Sequence, residues 1–102
     1  MAYDGTEGGE ITLSNGSSMT GSFRTNYPNE VKGRFFGKDI LKELLAQEDC
    51  MGIRMYFAID SNDDLALVIV GADSNGDDII GKVADISLPC PSYCGESNDL
   101  NS

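Results

Sequence analysis

Histidine and tryptophan are absent from these 102 residues, basic side chains number only seven, and cysteine and proline occur three times each. Without histidine the chain has no ordinary general base near neutral pH, no switch in that pH range and not the commonest transition-metal ligand. Catalysis by a Ser-His or Cys-His pair inside the chain is excluded. Seven basic residues against seventeen acidic ones leave a net charge of -10, with a pI near 4.1. That field repels phosphate backbones and anionic lipid, so nucleic-acid binding is not expected. Long apolar runs are missing too: nothing approaches the roughly 20 residues that a membrane span requires. The opening "MAYDGTEGGE" has neither the basic nor the apolar region of a secretion signal. The expected location is the cytoplasm, which an odd cysteine count also favours over a secreted disulfide scaffold. A phosphate-cradling glycine loop is lacking as well, because Gly37-Lys38 and Gly81-Lys82 have neither the upstream glycine spacing nor a following Ser or Thr.

What is present reads as one small α+β domain. Residues 1–10, with three glycines and three acidic side chains, are expected to form a flexible arm. The domain is expected over residues 11–94 and a tail over 95–102. Met19, Phe23 and Tyr27 recur every four residues and predict a helix from about Ser17 to Asn26, which Pro28 ends. "VKGRFF" is β-rich and short, an extended joint. "KDILKELLAQED" puts Ile40, Leu41, Leu44 and Leu45 on one stripe and predicts a second helix. The period then changes to two. "GIRMYFAID" alternates Ile53, Met55, Phe57 and Ile59 against Arg54, Tyr56 and Ala58, predicting a strand with one buried face. "DDLALVIVGAD" is apolar on both faces, as a covered central strand is, and "DDIIGKVADISL" is a third strand. The joints "DSNDD" and "DSNGDD" are hairpin turns. The expected architecture is two N-terminal helices packed on a three-stranded antiparallel meander. The second face of the middle strand then needs a cover, either a helix that wraps further or a second subunit.

Two constellations could carry chemistry. Asp60, Asn62 and Asp64, and again Asp73, Asn75 and Asp77, have the D-x-N-x-D spacing that opens calcium loops. The rest of such a loop is missing, since the sixth and twelfth positions counted from Asp73 are Asp78 and Ala84, and from Asp60 Leu65 and Gly71. In a meander the two turns lie roughly 25 to 30 Å apart, so they cannot pool carboxylates. Hairpin turns select the same residues, and the metal reading of Asp73, Asn75 and Asp77 ranks below that one. The second constellation is "LPCPSYC", with Cys90 and Cys94 four apart and prolines 89 and 91 around the first. Cys50 precedes the first strand and falls at the other end of the sheet, so it reads as a small buried hydrophobe rather than a third ligand. No helix follows to lower a thiol pKa, which leaves structural thiols or a local disulfide ahead of redox or metal chemistry. Tyr93 is expected to cover an edge of the core. Glu43 and Glu48 flank a surface helix and read as solvation.

Arg24, Lys32, Arg34, Lys38 and Lys42 gather around the joint between the helices, either as charge balance or as a docking surface for an acidic partner. At "FFGKDILKELLAQEDCMGIRMYFAID", "LVIVGADSNGDD" and "LPCPSYC…NDLNS", the chain resembles a family of small uncharacterised Bacteroidota proteins marked by a C-terminal Cys-Pro-x-Tyr-Cys. The resemblance spans about Ile11 to Ser102 and implies no activity, cofactor or catalytic residue. The expected function is a non-enzymatic interaction or assembly domain that meets a protein partner or itself, as a homo-oligomer. The alternative is a thiol-dependent redox or metal-binding role for the Cys90 and Cys94 pair.

Overall fold

A computed structural model of the chain describes residues 3–101. It holds helix α1 (Leu13–Asn26), strand β1 (Gly33–Phe35), helix α2 (Lys38–Leu45), and strands β2 (Cys50–Ile59), β3 (Leu65–Asp73), β4 (Asp78–Ala84) and β5 (Leu88–Cys90). The α+β class is as expected, and β2, β3 and β4 form a three-stranded antiparallel meander in that order. A second, two-stranded ribbon joins β1 to β5, with Gly33 opposite Cys90 and Phe35 opposite Leu88. The third strand therefore stops at Ala84 instead of running to Leu88. Ile86, at φ 59° and 97% exposed, turns the chain away from the sheet, a conformation strained for a β-branched residue. Alternation carried on through this turn, which is why the break is invisible in the pattern.

The helices differ in what they bury. α2 lays Ile40, Leu41 and Leu44 on one face of the meander, where Leu44, Ile69 and Ala84 form the core with Phe36, Ile40, Leu41, Ile53 and Leu67 around them, while Leu45, expected on the same stripe, turns outward and is 50% exposed. Its close approach depends on Gly71, where a Cβ would lie 2.9 Å from the Cys50 sulfur and 3.3 Å from the Leu44 carbonyl. α1 is longer than expected, beginning at a cap where the Thr12 hydroxyl accepts from the Asn15 N–H at 3.0 Å. It lacks a continuous apolar stripe. Instead of sharing the sheet with α2, it carries the C-terminal segment: buried Gly16 leaves room for Leu100, and Arg24 donates to the Leu100 carbonyl at 2.6 Å.

The ribbon is tied to the meander by side chains standing in for a missing strand. β4 ends opposite Ile69, so the first residues of β3 have no neighbour on that side. The Leu65 N–H donates to Glu30 at 2.7 Å, and the Leu65 carbonyl accepts from Arg34 at 3.0 and 3.1 Å. Both backbone polar groups of Leu65 are thereby satisfied. The predicted buried row of β2 divides: Ile53 packs on the core, while Met55, Phe57 and Ile59 are 54%, 83% and 64% exposed. An eight-residue α2 is too short to cover them, about 12 Å at 1.5 Å per residue.

Candidate functional site

The second face of the meander, expected to be covered by a helix that wraps further or by a second subunit, is partly roofed by its own side chains and the N-terminal segment. Cross-strand partners share a face, so Arg54, Tyr56, Val70, Val83, Ala72 and Asp78 lie together. Arg54 and Tyr56 reach from β2 across β3 to Asp78 on β4, the guanidinium donating to one carboxylate oxygen and the phenol to the other, each at 2.5 Å. Beneath them Val70 is only 3% exposed. Tyr3 stacks on the Arg54 guanidinium at 5.7 Å and donates its N–H to the Ser74 carbonyl at 2.8 Å. The N-terminal segment thus meets the sheet, and its ring occupies the space where a side chain on Gly76 would stand.

The chemistry of this network is holding rather than proton transfer. The Tyr56 hydroxyl, and after it the Arg54 guanidinium, hold the Asp78 carboxyl below the usual carboxylate range. The same hydrogen bond to Asp78 raises the Tyr56 phenol. The pair is driven apart, with the acid ionised and the phenol protonated, so neither exchanges a proton readily near neutrality. Asp60 is likewise lowered, first by the Asp64 backbone N–H and then by Arg34. A depressed carboxylate stabilises the fold above its unfolded pKa of about 3.9, and that contribution is lost as pH falls through the lower folded value. The thermal midpoint is expected to hold from neutrality to about pH 5 and to fall below about pH 4. Asp78→Asn should flatten part of that acid limb; a variant whose acid profile parallels the parent's would refute the assignment.

The two aspartate turns are twins. In each, the first aspartate's N–H donates across the turn at 2.9 Å, from Asp60 to Asp64 and from Asp73 to Asp77, and the fourth position has a positive φ, at Asp63 and Gly76. Asp60 Oδ1 accepts from the Asn62 and Asp64 N–H groups, and Asp73 Oδ1 from those of Asn75 and Asp77. The D-x-N-x-D spacing thus serves backbone capture within each hairpin. Among the described residues, no three His, Cys, Asp or Glu side chains converge as a metal-holding group.

Cys90 and Cys94 are joined in a disulfide at the end of β5. Cys50 is free and half-buried, its thiol donating to the Gly52 carbonyl at 3.2 Å. Tyr93 is 61% exposed and covers no part of the core. Of the five expected basic residues, Arg24, Lys32 and Arg34 line one groove with Met19, Phe23 and Phe57, about 290 Å³ in volume. The floor is apolar and the rim cationic. Lys32 donates to the Asn101 carbonyl at 2.8 Å, while Arg34 pairs with Asp60 at 2.7 Å.

Neither the Arg54–Asp78–Tyr56 bridge nor the open row of β2 was read from the sequence as a site. The signal for the first was an arginine and a tyrosine two apart on the face left uncovered. Compared with family models, with curated proteins and with solved structures, the chain matches none.

Proposed function

We propose that the chain is a non-enzymatic interaction or assembly domain whose function is carried by its surface. One observation supports this above the others: its accessible surface is 7325 Å², against about 5,600 Å² for a folded monomer of its mass. The surplus is rich in large apolar side chains, among them Phe57 at 83%, Ile80 at 80% and Met19 at 66% exposed. A radius of gyration of 15.1 Å, against about 13 Å for a compact domain of this length, points the same way. Exposed apolar area of this extent marks surfaces that another molecule covers.

No helix among the described residues is long and apolar enough to cross a membrane. Affinity capture on the intact chain, with the solution mass measured alongside, tests the reading. An identified protein partner or a mass above 10.9 kDa supports it. No partner together with a monomeric mass ends it.

A thiol-dependent role for Cys90 and Cys94 is the second reading, favoured only by their closeness. As a purely structural bridge, a disulfide with a sequence separation of 4 contributes about 2 kcal/mol through chain entropy. The double variant Cys90→Ser, Cys94→Ser is expected to lose that amount in urea titration while keeping the partner or self-association of the parent. Loss of association with stability intact would favour the thiol reading instead.

A further inference from the structure

We propose that β2 pairs antiparallel with β2 of a second copy, about a two-fold axis at Phe57, so that two meanders become one continuous sheet; this rests on the assembly reading above and names its partner. β2 lies at the edge of its sheet. The Asp60 N–H bonds to Asp64 across the hairpin, and alternation along an antiparallel ladder turns the backbone groups of Ala58, Tyr56 and Arg54 toward β3. Those of Ile59, Phe57 and Met55 consequently point outward. Among the described residues, no backbone group from outside the sheet bonds to them.

The side chains of the same three residues are the exposed apolar row, at 54%, 83% and 64% for Met55, Phe57 and Ile59. Soluble proteins blunt such an edge with a charge, a proline or a bulge, and the stretch Met55–Ile59 contains no charged residue and no proline. The only register shift in this pairing lies at Cys50 and Gly52, at the far end of the strand.

Self-pairing centred on Phe57 is the register that superposes this row on itself. Phe57 then meets Phe57 of the partner subunit, and Met55 meets Ile59 of the partner subunit. On the other face Tyr56 lies opposite the partner's Ala58, large against small. An axis at Met55 would instead set Phe57 opposite the partner's Ile53, which packs on the core, and Ile59 opposite the partner's Met51 at the bulge. Net charge -10 on each copy opposes association, so added salt should tighten this pairing, whereas a complex held by opposite charges would weaken.

Sedimentation equilibrium of the full chain is expected to give twice 10.9 kDa, with the dimer favoured by salt. Phe57→Lys should weaken it about a hundredfold or more, because the axis sets two lysines opposite each other. Phe57→Pro removes an N–H that the ladder to β3 does not use and should do the same. Ile80→Lys, on the far strand, should leave the dimer unchanged. Hydrogen exchange on the parent chain is independent of any variant's folding: the amides of Met55, Phe57 and Ile59 should gain protection as concentration rises. A dimer that survives both Phe57 variants, or amides at these positions that exchange fast at every concentration, overturns this interface while leaving the assembly reading standing. A monomer at the highest soluble concentration also overturns it, and with no captured partner it takes the assembly reading down too.

Discussion

Leu44→Ala is expected to cost about 3 to 4 kcal/mol and to bring the chain near the edge of folding. Leu44 is fully buried, and with Ile69 it is one of the largest fully buried side chains in the molecule. Truncation removes transfer free energy and leaves a cavity between α2 and β3. The two are held apart by rigid backbone and cannot close on it. A domain with so few fully buried residues belongs at the low end of the usual 5–15 kcal/mol, so the loss is a large part of the whole. The thermal midpoint should fall by roughly 15 °C or more for a chain of this length. A urea midpoint displaced by less than the equivalent of about 1 kcal/mol would show that the core is centred elsewhere.

Gly71→Val is the second large effect, at about 3 kcal/mol, with Gly71→Ala smaller and of the same sign. A Cβ at this position would stand 2.8 Å from the Gln47 amide nitrogen, 2.9 Å from the Cys50 sulfur and 3.3 Å from the Leu44 carbonyl. The glutamine can move aside, but the carbonyl belongs to the backbone of α2 and moves only with the helix. Denaturation of Gly71→Ala alone and with Cys50→Ala separates these contributions. Neighbours sharing a cavity are not additive, so the double variant should be less destabilised than the sum of the single ones. Strict additivity would mean that the sulfur is not what the new methyl strikes.

The glycine's role shows where sequence reasoning reached and where it stopped. α2 and the meander were legible because each rests on a local period: four aliphatics on one helical stripe, then alternation in β2 and turn residues at both hairpins. The β1–β5 ribbon was not legible, because "GRF" and "LPC" carry no mutual signal over such a separation. Burial of the β2 row was misread for a related reason. Periodicity says that Ile53, Met55, Phe57 and Ile59 share a face, but only the length of the opposing helix decides how many of them are covered. The site followed the same division. The aspartate spacing was visible and its turn reading agrees with the captured backbone groups, whereas the Arg54–Asp78–Tyr56 bridge depends on a register shift between Val70 and Gly71 that nothing local announces.

The ribbon also bears on the order in which the chain gains structure. Pairing Gly33 with Cys90 encloses α2 and the whole meander in one loop. Closing it has a large entropic cost until the meander has drawn its ends together. The hairpins have short loops and contacts near in sequence, and they can form first. Among the strands the ribbon is then the last to assemble and the first to open, a subglobal unfolding step beneath the global one. Its amides, Lys32 N–H to the Cys90 carbonyl among them, would exchange before those of β3, and a proteolytic cut would come first in the connection through Ile86. The Glu30 and Arg34 contacts to Leu65 would be lost in the same step, exposing the start of β3 while α2 stays seated on Ile69.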